Sequence, residues 1–229
     1  MPHPDPVSDD PGLVAALEGR APLRIGELLG DALRAMRGAK RWIWFGLLAW
    51  LSVAVAAAAL GVVLGLPEAL AASLSVLATA PVSVALTMYA VRRVAGVPTD
   101  ALALQAYRPT LGHAVVVLLL ASLVFSAADA LLGPVWSLAV ALPYSLLTGQ
   151  ALFLVADRGA DAFSALGWSV RASLRVLPVL VLVQLAVAGM ALLGALTFGI
   201  GLIWLAPLAV LTLGAVSFRL FGTLATASA

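Results

Sequence analysis

Six apolar runs, at roughly 42–66, 70–91, 110–132, 134–156, 177–197 and 199–221, divide the chain into long hydrophobic stretches with short polar connections. Each run has the length of a bilayer-crossing helix, about 20 residues at 1.5 Å per residue. Turn-forming sequences separate the close pairs: LGLPEA at 64–69, LLGPV at 131–135 and LTFGIG at 196–201. The pattern predicts an all-α polytopic fold of six transmembrane helices arranged as three hairpins. No charge marks the boundary at 197–199, so a re-entrant pair is the alternative to two full spans there.

A different periodicity precedes the hairpins. In IGELLGDALRAMRGAKR (25–41), Ile25, Leu28, Leu29, Leu33 and Met36 recur on one helical face, with Arg34, Arg37 and Arg41 largely off it. In the stretch after LVADRG, Asp161 is placed to cap a helix. Phe163, Leu166, Val170 and Leu174 recur there at spacings of three and four, while Arg171 and Arg175 share another face. Asp100 is placed to cap a shorter helix that ends near Pro109. These segments predict amphipathic helices lying along the headgroups. The first 22 residues, rich in proline and acid, predict a mobile tail before a single membrane domain at 23–229, and lack the pattern of a cleavable signal peptide.

Composition agrees with lipid as the main solvent. The 229 residues are 63% hydrophobic and 10% charged, with a mean hydropathy of +1.10, against about 25% charged residues in soluble domains. The 13 basic residues form four clusters: Arg20 to Arg41, Arg92 to Arg108, Arg158 to Arg175, and Arg219. With six spans, all four fall on one side of the membrane. The positive-inside rule makes that side cytoplasmic, with both termini inside. The same arrangement accounts for the pI of 9.5 without nucleic acid as a partner.

The second span of each pair carries one internal proline, Pro81, Pro143 and Pro207, where a kink is expected. Pro81 to Arg93 and Pro207 to Arg219 are both 12 residues, Pro143 to Arg158 slips to 15, and LGDALRA at 29–35 echoes LGWSVRA at 166–172, which predicts three repeated units with the middle one fitting worst. The kinks are expected either to pack three helices or to surround a path for a solute. Gly61 and Gly65, four residues apart, predict a close helix approach.

Candidate chemistry is sparse. The polar groups within spans are Gln150, Gln184 and Asp129, with His113, Tyr89 and Tyr144. Asp129 falls near the outer end of its span, and His113 near the opposite end. The glutamines are placed to hydrogen-bond across helices. There is no metalloprotease, nucleophile-elbow or phosphate-loop motif, and no paired intramembrane carboxylates. Cysteine is absent, and the two histidines, His3 and His113, are far apart in the sequence. No catalytic residue, metal site or cofactor is expected.

Residues 151–222 carry an LVADRG exit, an arginine-bearing amphipathic helix, a GIGLIWLAPL entry and a closing RLFG, and GELLGDALRAMRGAKRWIW fits before them. In these features the chain, over roughly 25–222, resembles a broad group of bacterial multi-span inner-membrane proteins of unknown function. That group is distantly similar to the membrane domain attached to some glycerophosphodiester phosphodiesterases. The resemblance implies a six-helix fold and no activity. The function expected is a non-enzymatic module organising lipid or a protein partner, with a small permease for an apolar or amphipathic solute as the alternative. Arg34, Arg37, Lys40, Arg41, Arg171 and Arg175 are the candidates for binding anionic lipid or a partner.

Overall fold

A computed structural model describes residues 10–21, 23–97, 99, 103–197 and 200–223. Among these, ten α-helices are seen: α1 (Pro11–Leu17), α2 (Ile25–Ala35), α3 (Lys40–Val63), α4 (Glu68–Val94), α5 (Leu111–Leu132), α6 (Pro134–Thr148), α7 (Ala151–Arg158), α8 (Ala162–Arg175), α9 (Leu177–Leu196) and α10 (Leu202–Phe221). A 3₁₀ segment, Ala103–Thr110, leads into α5. No strand occurs among the described residues. The fold is all-α, and six helices are long and apolar enough to cross a membrane: Lys40–Val63, Glu68–Val94, Tyr107–Leu132, Ala139–Arg158, Leu177–Leu196 and Leu202–Phe221.

These helices form because each run satisfies its own backbone while leaving its side chains apolar all round. Only 11% of the most apolar stretch of α3 is buried inside the molecule, and 17% of that of α9. Val55, Val62, Leu131 and Leu196 are all more than half exposed. A surface of this kind is stable against lipid and not against water. At the α5–α6 corner Gly133 takes φ +79°, which a side chain would resist, and Pro134 opens the next helix.

The packed core lies at the end where the basic residues gather. Leu28 on α2, Met88 and Val91 on α4, Phe153 and Leu154 on α7, and Leu220 and Phe221 on α10 are all fully or almost fully buried there. The first residues of the chain contribute as well. Residues 10–21 are not the loose tail expected, because α1 buries Leu13 and Ala16 against this core. Asp10 caps α1 by accepting from the Gly12 and Leu13 amides at 2.8 and 3.0 Å. Two apolar residues three apart, plus that cap, suffice once a neighbouring helix covers them. Residues 1–9, including His3, and Asp100 lie outside the described residues.

Three further expectations change. The fourth span bends at Gly149–Gln150, between α6 and α7. The segment before α5 is a 3₁₀ helix with Pro109 inside it, in place of an α-helix ending at that proline. Helix α2 divides its expected apolar face: Leu28 packs inward with Ala32 and Ala35, and α2 runs along α10, while Leu33 stays half exposed. Helix α8 buries a face of small residues, Ala162, Ala165, Ser169 and Ala172. Its larger apolar residues Phe163 and Leu174 stay exposed.

Helix α10 crosses the first hairpin. Gly61 allows α3 and α4 to run antiparallel at close quarters, since a Cβ there would sit 2.8 Å from that of Ala71. Gly214 performs the same service between α10 and α4, where a Cβ would meet the Ala90 backbone at 2.8 Å. From that crossing, α10 carries its first turn toward the start of α3: Trp44 Nε1 donates to the Ile203 carbonyl at 3.1 Å. A helix running beside α3 end to end would place Ile203 at the opposite end.

Candidate functional site

The basic end is built by charge pairing. On α2, Glu27 and Asp31 lie four residues apart on one face, and Arg219 of α10 reaches both, at 2.7 Å to each carboxylate. Asp31 also pairs with Arg34. Arg93 of α4 donates to the carbonyls of Ala35 (3.2 Å) and Arg37, which satisfies the end of α2 before the Gly38 turn. These contacts fix the α2–α3 corner against α4 and α10.

At that corner a hollow of about 510 Å³ opens, lined by Leu33, Met36, Arg37, Lys40, Arg41 and Trp204. Lys40 Nζ lies over the Trp204 ring, 2.8 Å from its centroid. Arg37 and Arg41 are exposed, and the Arg41 guanidinium stacks on Trp42 at 5.3 Å. Three cations above an apolar floor can hold a phosphate-bearing headgroup while its chains lie on Leu33, Met36 and Trp204.

Below the hollow, the proline of α10 has a consequence the sequence does not announce. Pro207 has no N–H, so the carbonyl four residues earlier, that of Ile203, loses its helical partner. Trp44 supplies the missing donor. Buried Pro207 is thus part of the corner, whereas Pro81 and Pro143 are exposed. The three prolines precede the basic-end residues Val94, Arg158 and Phe221 by 13, 15 and 14 residues.

A second knot lies beside the first. Arg158, with 2% of its side chain exposed, pairs with Asp10 and donates to the Phe221 carbonyl at the end of α10. Next to it, Thr223 donates to Asp157 at 2.7 Å, and Arg92 stacks on the Tyr107 ring at 5.3 Å. Asp157 and Arg158 are therefore structural groups joining α1, α7 and α10. Asp161 caps α8, accepting from the Phe163 and Ser164 amides at 3.0 Å each. The Ser164 hydroxyl and amide hold its carboxyl below the ordinary value of 3.8. Arg171 and Arg175 are exposed, on α8 with Phe163 and Leu174.

Of the intramembrane polar residues, Gln150 and Gln184 line one cavity between α4, α6, α9 and α10. Asp129 lies elsewhere, exposed in a shallow recess with Glu68 at the end away from the basic clusters. His113 is also exposed. No cluster of metal-ligating side chains occurs among the described residues. The residues missed from sequence are Asp10, Trp44, Arg219 and Ser217. Only Trp44 had a local signal, an indole donor among helices that contain proline. Comparison with protein-family models, with curated proteins and with solved structures returns no match.

Proposed function

We propose that this chain is a non-enzymatic module of a bacterial inner membrane that binds anionic lipid at a cytoplasmic basic end. The observation that carries the reading is the hollow of Arg37, Lys40 and Arg41 over Leu33, Met36 and Trp204. Helix α8 supports it, because exposed Phe163 and Leu174 beside Arg171 and Arg175 suit insertion at a charged membrane surface. Arg34 pairs with Asp31 one turn back on the same helix, which partly neutralises its charge, so the test leaves it in place. The clustering of basic residues supports an orientation with both termini in the cytoplasm.

The test is the lipid that accompanies the protein through detergent purification. Replacing Arg37 and Arg41 by glutamine removes two exposed cations, each worth about 1 kcal/mol toward an anionic surface. The double variant should insert normally and lose at least fivefold in bound phosphatidylglycerol or cardiolipin relative to phosphatidylethanolamine. Arg37→Lys with Arg41→Lys should restore most of it. An unchanged lipid ratio in the glutamine variant refutes the reading.

A further inference from the structure

We propose that the cavity between α4, α6, α9 and α10 binds a neutral lipid with a small hydroxyl- or ester-bearing head, diacylglycerol being the type. This site is separate from the charged hollow and does not depend on it.

The cavity measures about 330 Å³. A water molecule occupies about 30 Å³ of liquid, so the space would take about ten waters and is not the niche of one structural water. Leu86, Leu180, Val183 and Val210 make its walls apolar, and Gln150, Gln184, Ser145 and Ser217 bring polar groups to them. Every lining side chain is uncharged. A phosphate or carboxylate would meet no cation there, and a cation no carboxylate, so the occupant is neutral.

The polar groups are only partly satisfied. The Ser217 hydroxyl donates to Gln150 Oε1 at 2.5 Å. The Gln150 backbone N–H donates to Ser169 Oγ at 3.3 Å, and Ser169 Oγ in turn donates to the Leu147 carbonyl at 2.8 Å. These bonds hold the bend between α6 and α7 and fix the Gln150 carboxamide against the cavity. Its amide nitrogen, and the whole Gln184 carboxamide, make no hydrogen bond with any described residue. In a hydrocarbon surrounding, an amide without partners costs several kcal/mol. Two amide groups facing one apolar-walled space are matched by a ligand carrying carbonyl and hydroxyl oxygens.

Depth selects among lipids. Gln150 precedes Arg158 by eight residues, and Gln184 follows Leu177 by seven. At 1.5 Å per residue both lie about 10–12 Å along their helices from the basic end. A phospholipid leaves its charged head at the surface. A diacylglycerol has no such head and can lower its hydroxyl and esters to the glutamines. Leu213, 43% exposed, lines the cavity and gives a lateral opening toward the chains of surrounding lipid.

The test uses the purified full chain with dioctanoylglycerol, binding being read by native mass spectrometry. Gln184→Leu keeps the side-chain size and removes a group with no described partner, so the fold should stand. The expected result is a loss of about fivefold or more in dioctanoylglycerol affinity, the scale of one to two hydrogen bonds. Phosphatidylglycerol adducts should be unchanged. A diazirine-bearing diacylglycerol should label segments 180–187 and 210–217 in the wild type, and label them less in Gln184→Leu. Equal affinity in wild type and variant overturns the proposal. So does competition by a long-chain alkane as strong as by diacylglycerol, since the head would then go unread. Labelling elsewhere, or a cavity holding water only, overturns it as well.

Discussion

Arg158 illustrates how a charge at a membrane edge becomes structural. Its neighbours in sequence, LVADRG, read as a loop exit, and nothing local says that its partner is Asp10, 148 positions earlier. The pairing is legible only once α1 and α10 are in place, because both partners come from segments distant in the chain. Replacing Arg158 by methionine should leave Asp10 without its counter-charge and the α10 terminus without a donor. A cost of about 3 kcal/mol is expected, read as a lower unfolding temperature in detergent; an unchanged temperature would deny the knot its role. Asp161 was legible as a cap from sequence alone, and the structure places it so. Because its folded carboxyl is held below 3.8 by Ser164, its contribution is present above that value. It is lost as pH falls through the depressed folded value. Amide exchange in the first turn of α8 should accelerate there in the wild type, while Asp161→Ala should show fast exchange at neutral pH. If the two behave alike at pH 7, the cap is not stabilising.

At the scale of elements, helix existence was readable and helix placement was not. Length and hydropathy alone mark α3, α4, α5, α9 and α10, because a bilayer demands about 20 apolar residues whatever the neighbours do. Orientation of one helix on another depends on contacts such as Gly214 on Ala90, which involve residues with no chemical signature of their own. Of the apolar face read on α2, Leu28 went to the helical core beside Ala32 while Leu33 stays exposed, because a period shows which residues share a face and not what covers each of them. The two glutamines were picked out as interior polar groups, and the cavity that joins them depends on the bend of α6 into α7. The Pro207–Trp44 link allows a direct test by a double-mutant cycle. Trp44→Phe alone should cost about 1–2 kcal/mol by leaving the Ile203 carbonyl unpaired. In a Pro207→Ala background the restored helical N–H takes that carbonyl, and the same change should cost much less. Equal costs in the two backgrounds would mean that the indole bond and the proline are unrelated.

For the whole molecule, the consistent feature is asymmetry. One end gathers the buried core, the charge pairs, α1, α2 and α8, and the cation-lined hollow; the other ends in short turns beside Glu68 and Gly133. The sequence already carried this asymmetry in its basic clusters, and the fold adds that the same end is where α10 crosses α4. The proposed function requires this end to face the cytoplasm, where anionic lipid would meet it. The absence of cysteine makes that measurable, since single cysteines can be introduced without background. Glu68→Cys and Leu131→Cys probe the plain end, and Arg20→Cys and Gly167→Cys the basic end; a Cβ at Gly167 meets nothing within 4 Å. In intact spheroplasts, a membrane-impermeant maleimide should label the first two and spare the second two, which should react only after permeabilisation. Labelling of Gly167→Cys in intact spheroplasts, with protection of Glu68→Cys, would contradict the account.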